Sequence, residues 1–321
     1  MDMLEKKIYF IGGKGGVGKS TTSAAMALLL AQKGKRILLV STDPAHNTGD
    51  LFHRNFTGGK IENATRNLDV LEIDSEQESR NYINSVKGNL KGLVKATMLE
   101  EVNRQIDMAA SSPGAEEAAL FDKITSLVLE EITNYDAIVF DTAPTGHTIR
   151  LLTLPELMGV WMDGLLERRK KVNENYAQWM NDGEVVEDPL YDKLNERKNR
   201  FKRVREILLD GIQTEYVFVL NAERLPILET NKAIETLHQH GIHVNSIVVN
   251  KVIPKEADGR FMAQRRTNER LYLDEIKEKF KNQRQVFLPL LEQDISSLST
   301  LEYISGLLGK QIDSVLNHIQ K

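Results

Sequence analysis

Eight consecutive residues, Gly13-Lys14-Gly15-Gly16-Val17-Gly18-Lys19-Ser20, carry the clearest chemistry in the chain. They fit G-x-x-x-x-G-K-[ST], a loop whose backbone N–H groups turn inward around phosphate oxygens. Glycine is needed wherever that backbone enters conformations that a Cβ opposes. The nucleotide-binding set is Gly13, Gly15, Gly16, Val17, Gly18, Lys19, Ser20 and Thr21. Lys19 is expected on the β- and γ-phosphates, and the Ser20 hydroxyl on Mg²⁺. Two aspartates complete the pattern. Asp43 follows Ser41-Thr42, and Asp141 follows Ile138-Val139-Phe140. A hard cation favours oxygen ligands, so Asp141 suits Mg²⁺, directly or through water. Asp43 is placed to orient or activate the attacking water and to join the metal set. Aspartates after strands also cap helices, and that plain role stands beside the catalytic one. His46 and His147 read as loop histidines near the nucleotide, since no cysteine or i, i+4 histidine accompanies them.

Phosphate chemistry of this kind needs a strand before the loop and a helix after it. Lys7 to Gly12 predicts that strand. Ser20 to Lys33 predicts the helix, ended by Gly34. Further strands are predicted at Arg36 to Thr42, Leu68 to Ile73, Asp136 to Thr142, Tyr216 to Asn221, Val244 to Val252 and Gln285 to Leu290. Several are continuous apolar runs, as buried parallel strands are. The alternation implies an α/β fold with a mostly parallel sheet flanked by helices. Ligands in such sheets gather beyond the carboxyl ends of the strands, which would bring Asp43, Asp141 and the loop together. Two strand-poor stretches interrupt the pattern. The expected organisation is one domain over 1–321, with its core at 1–74, 134–154 and 212–321. An inserted helical subdomain would occupy 75–133 and 155–211. Within it, Leu90 to Met108 and Ala115 to Ile132 read as helices, and Asp188-Pro189 as the start of another.

Composition narrows the classes. Forty-two basic residues against 46 acidic leave a net charge of −4, so no basic surplus points to nucleic acid. There is no cysteine, which removes disulfides, thiolate metal sites and a cysteine nucleophile. No run approaches the roughly 18 apolar residues of a membrane span, and Ile8-Tyr9-Phe10-Ile11 is too short for an export signal. These features fit a cytoplasmic protein without direct membrane insertion.

Lys14 is not required by the general motif. Gly-Lys-Gly-Gly-Val-Gly-Lys-Ser resembles the deviant phosphate loop of the signal-recognition, cell-division and nitrogenase-iron-protein group. With Ser41 to Asp50, Phe140 to Leu152, Ala222-Glu223-Arg224, Ile247 to Lys251 and Leu288-Pro289-Leu290-Leu291, the chain resembles the arsenite-pump (ArsA) and guided-entry ATPases, which are P-loop NTPases. The resemblance implies that 41–50 and 141–150 are nucleotide switches. It implies that Asn250 reads the adenine edge, that Pro289 packs on the base, and that Lys14 reaches the partner's nucleotide across a homodimer. It also implies a client, such as a hydrophobic helix or a membrane protein. Two departures matter. Gly259 and Met262 stand where the targeting ATPases carry a zinc-binding cysteine pair, so no zinc site is expected. The soft thiolate site of arsenite pumps cannot form without cysteine.

The function expected is Mg²⁺-dependent ATP hydrolysis by a nucleotide-switched homodimer that binds or releases a protein. One alternative is the ATPase subunit of an arsenite or anion pump. Another is a small-molecule kinase or ATP-dependent ligase. Leu93, Val94, Met98, Val102, Ile106, Met108, Leu120, Phe121, Ile124, Leu127 and Val128 fall at helical spacing and could line a client groove or fill the subdomain's own interior. Ser299 to Ile319 reads as an amphipathic helix docked on the core.

Overall fold

Strands with two buried faces must be covered on both sides, and the apolar runs of this chain are covered that way. The computed structural model describes residues 3–43, 47–56, 58–90, 100, 103–104, 106–108, 115–143, 146, 148–154, 163–164, 166–167, 170–171, 188–295 and 297–319. The strands are β1 (Ile8–Gly13), β2 (Ile37–Ser41), β3 (Glu62–Thr65), β4 (Leu68–Glu72), β5 (Ala137–Asp141), β6 (Thr214–Asn221), β7 (Ser246–Val252) and β8 (Arg284–Pro289). Among the described residues they form one eight-stranded sheet, ordered β3-β4-β2-β5-β1-β6-β7-β8. Every neighbouring pair is parallel except β3 with β4. The antiparallel β3 is absent from the expected strands. Glu62-Asn63-Ala64-Thr65 is a polar edge strand with only Ala64 buried, so it has no apolar run to announce it.

Helices among the described residues include α1 (Lys19–Gln32), α2 (Asn47–Phe52), α3 (Ser75–Leu90), α4 (Ala115–Glu130), α5 (Pro189–Leu209), α6 (Arg224–Gln239), α7 (Gly259–Lys279) and α8 (Leu298–Ile319). α1 ends within one residue of the expected stop, with Gly34 at φ 90° just beyond. α8 begins one residue before its expected start. Most of the expected helix at 90–108 lies outside the described residues.

The chain divides into two compact units. One comprises Met1–Asp74, Glu130–Ile149 and Leu208–Lys321 and contains the sheet. Alternate strand residues fill its two faces. Val217, Val219 and Val248 join Ala24, Leu30, Leu301 and Leu308 under α1 and α8. Leu220, Ile247 and Val249 join Ile227, Ile276 and Phe280 under α6 and α7. A Cβ on Gly309 would lie 2.9 Å from Leu29, so α8 comes close to α1 where its side chain is smallest. Truncating a side chain as enclosed as Leu30 would cost about 2–5 kcal/mol. This face fixes α1 and therefore the phosphate loop that feeds it.

The other unit comprises Ser75–Leu129 and Arg150–Ile207. Three of its helices hold together through Phe121 against Phe201 at 5.3 Å and the Arg197–Asp122 ion pair at 2.8 Å. Arg197 also lies over the Tyr82 ring at 4.8 Å. Phe121, Ile124, Leu127 and Val128 are buried, whereas Met108 is exposed. Leu93, Val94, Met98 and Val102 lie outside the described residues. Among the described residues, no helix is long and apolar enough to cross a membrane.

Candidate functional site

The strand ends set the site. β1 runs directly into the loop, and Gly13 is forced by its surroundings. Its φ is 149°, and a Cβ there would lie 2.3 Å from the Val219 carbonyl oxygen of β6. Gly18 is the N-cap of α1 at φ 97°, with no side-chain cap. A Cβ on it would lie 2.2 Å from Asn250 Nδ2. The first turn of α1 thus offers N–H groups and the positive end of its dipole, an arrangement suited to an anion.

Lys19 is only 5% exposed, and its Nζ lies 3.4 Å from the Lys14 carbonyl oxygen. Burial pushes its pKa down, and the charges of Asp141 and Asp43 oppose that shift. Asp141 closes β5 and is 1% exposed. Ser23 Oγ donates to its Oδ1 at 3.1 Å, while its Oδ2 is enclosed with no hydrogen-bond partner. Burial raises the Asp141 carboxyl to about 6, against the favourable hydroxyls of Ser20 and Ser23 and the charge of Lys19. A buried oxygen without a partner is costly unless something else binds it. The Ser20 hydroxyl and the two carboxylates form a hard-oxygen donor set that fits Mg²⁺ shared with phosphate oxygens.

Threonines fasten this end of the sheet. The Asp141 carbonyl accepts the Thr42 N–H at 2.9 Å and Thr42 Oγ1 at 3.1 Å. Thr142 Oγ1 donates to the Ile11 carbonyl at 2.8 Å, and Thr148 Oγ1 donates to Thr142 Oγ1 at 2.9 Å. Asp43 follows directly and lies within electrostatic reach of both Asp141 and Lys19.

A cavity of about 310 Å³ opens beside the loop, lined among others by Gly18, Thr21, Leu51, Asn250, Pro289 and Leu307. That is at the small end of ligand sites, roughly 300–1,000 Å³. Asn250 Nδ2 donates to the Val17 carbonyl at 2.9 Å. Lys14 projects elsewhere, and its Nζ pairs with Glu229 Oε1 at 2.9 Å within the same chain.

The loop, Lys19, Ser20, Asp43, Asp141, Asn250 and Pro289 all lie at the carboxyl ends of β1, β2, β5, β7 and β8. Pro44, His46 and His147 lie outside the described residues. Three residues escaped the sequence reading. Glu72 ends β4, is 6% exposed and accepts the Gly49 N–H of α2 at 2.9 Å; its place at the end of a predicted strand was the available signal. Glu229 carries no such signal, because its role follows only from where α6 lies. Lys251 stands beside Asn250 but was given no role. At the segment lacking the cysteine pair, α7 begins at Gly259, and Met262 lines a separate cavity.

Comparison with known proteins gives the family. The family model described as "Anion-transporting ATPase" matches residues 6–310. "Putative arsenical pump-driving ATPase 2" of Aquifex aeolicus is 33% identical over 302 residues, covering 94% of this chain and 99% of that protein. "ATPase GET3" of Candida glabrata is 32% identical over 331 residues, covering 97% and 92%. "ATPase ASNA1 homolog 2" of Paramecium tetraurelia is 30% identical over 312 residues, covering 95% and 94%. A match running nearly from end to end makes this chain a member of the anion-transporting ATPase family.

Proposed function

We propose that this ATPase hydrolyses Mg²⁺·ATP as a homodimer and uses its nucleotide state to bind and release a protein client. The observation that carries the reading is the enclosed, unpartnered Asp141 Oδ2 beside Ser20 and Lys19 at the uncapped start of α1. Ser20, Asp141 and Asp43 would hold Mg²⁺, which would offset the negative charge of the phosphates. The amides from Gly13 to Thr21 bind the phosphates, and Lys19 neutralises the β- and γ-oxygens. Asp43 orients the attacking water. That water bonds to the γ-phosphorus as the bond to the β–γ bridging oxygen breaks, leaving ADP and phosphate. Catalysis rests on positioning and charge stabilisation. Asn250 and Pro289 face the base, and Lys14 supplies charge to the partner's nucleotide.

The resemblance of the motif segments to guided-entry ATPases supports the client half of the proposal. An apolar α4 face does not, since Phe121, Ile124, Leu127 and Val128 are buried. The Aquifex relative's name favours a second reading, an arsenical pump subunit. Zero cysteines oppose the usual metalloid site, and arsenite-stimulated hydrolysis is what would restore that reading.

Light-scattering mass in Mg²⁺ with ADP, ATP or a non-hydrolysable analogue tests the proposal. ATP should produce a dimer, and Lys14→Ala should lose that response. A wild-type chain that stays monomeric in every nucleotide would overturn the two-subunit switch.

A further inference from the structure

β7 does not reach its end as a regular strand. Val249 pairs with Phe287 and Val252 with Pro289, so Asn250 and Lys251 together oppose the single residue Leu288. That is a bulge, a device that re-aims side chains at the end of a strand. Lys251 sits in it at φ 58°, a left-handed conformation that costs a residue with a Cβ. Glycine or asparagine would fill such a position with less strain.

The two bulge side chains reach successive carbonyls of the phosphate loop. Lys251 Nζ lies 3.4 Å from the Gly16 carbonyl oxygen, and Asn250 Nδ2 lies 2.9 Å from that of Val17. The next carbonyl, of Gly18, accepts the Thr22 N–H at 3.0 Å and Thr22 Oγ1 at 2.8 Å. In a trans peptide the C=O and the following N–H point in opposite directions. Fixing these three carbonyls therefore fixes the N–H groups of Val17, Gly18 and Lys19. Successive N–H groups held this way form an anion-binding nest.

We propose that Lys251 is a positioning residue of the phosphate loop. It holds the Gly16 carbonyl so that the Val17 N–H stays turned towards phosphate, as Asn250 does for Gly18. The assignment rests on the phosphate-loop reading and adds a residue to it. Lys251 also lines the cavity beside the loop, and the role assigned to it runs through the loop backbone.

The test uses the full chain in Mg²⁺ and compares AMP with ADP by calorimetry. A single exposed hydrogen bond sets a modest scale, so Lys251→Met should cut the affinity gained from AMP to ADP by about three- to tenfold. Lys251→Arg should restore most of it. Lys251→Gly, which relieves the backbone but removes the donor, should behave like Lys251→Met. In nucleotide-free protein the Val17 amide resonance should move in Lys251→Met and return in Lys251→Arg. An unchanged AMP-to-ADP increment in Lys251→Met overturns the assignment, and so does full rescue by Lys251→Gly. Wild-type protein that binds no ADP overturns the phosphate-loop reading itself, a result distinct from either.

Discussion

The Lys14 ammonium lies 2.9 Å from Glu229 Oε1, tying the phosphate loop to α6 inside one chain. The two side chains are 35% and 45% exposed, and pairs of that kind contribute about 0.2–1 kcal/mol. Under the two-subunit proposal Lys14 must leave Glu229 to reach a facing nucleotide. Glu229→Gln should therefore lower the ATP concentration needed for dimer mass by about two- to fivefold. Its melting temperature should stay within about 2 °C of wild type. An unchanged ATP midpoint would show that the ion pair does not compete with assembly.

Asp43→Asn should bind ATP with near-wild-type affinity and lose hydrolysis by about 10²-fold or more. Calorimetry and phosphate release, measured on the same preparation, separate the two. Normal turnover would remove Asp43 from the mechanism.

Asp141 gives a pH signature in nucleotide- and metal-free protein. Its folded carboxyl is raised from 3.8 to about 6, chiefly by burial. Between those values the folded chain holds a proton that the unfolded chain has released. Stability from this group therefore falls as pH rises through that window and is lowest above about 6. Asp141→Asn keeps an acceptor for Ser23 and carries no charge. It should be more stable than wild type at pH 7, by up to about 3 kcal/mol, with the gap closing near pH 4. Denaturant melts at the two pH values check this, and a constant gap would place the cost of Asp141 elsewhere.

Gly13→Ala and Gly15→Ala should part company. At Gly13 the new methyl meets a backbone oxygen at 2.3 Å, whereas at Gly15 nothing lies within 4 Å. Gly13→Ala should cost about 2–4 kcal/mol, and Gly15→Ala less than about 0.5 kcal/mol. Equal melting temperatures would contradict the packing of β1 against β6.

Legibility followed physical cause. Strands buried on both faces, such as Ile8 to Ile11 and Val217 to Leu220, announce themselves as apolar runs. The loop announces itself because phosphate binding demands particular glycines at particular spacings. Asp43 and Asp141 were legible because parallel strands deliver their ends to one rim. The polar strand at Glu62–Thr65 had no such signal. Nor did Glu229 or Lys251, whose partners are 215 and 235 residues away along the chain. A bulge is a property of two strands together, so Val-Asn-Lys-Val alone could not disclose it.

The order of the sheet also bears on how the protein is made. β1 lies between β5 and β6, and Ile8 pairs with Ile138 on one side and Thr214 on the other. The strand that begins the loop is thus made before both of its sheet neighbours. At about 5–20 residues per second, its second neighbour follows it by roughly ten to forty seconds. Throughout that interval Ile8-Tyr9-Phe10-Ile11 has at most one of its two ladders, and the phosphate loop has no finished strand to hang from. Nascent chains halted before residue 214 should retain no nucleotide, which makes the earliest-synthesised element of the site the one most exposed to chaperones and proteases.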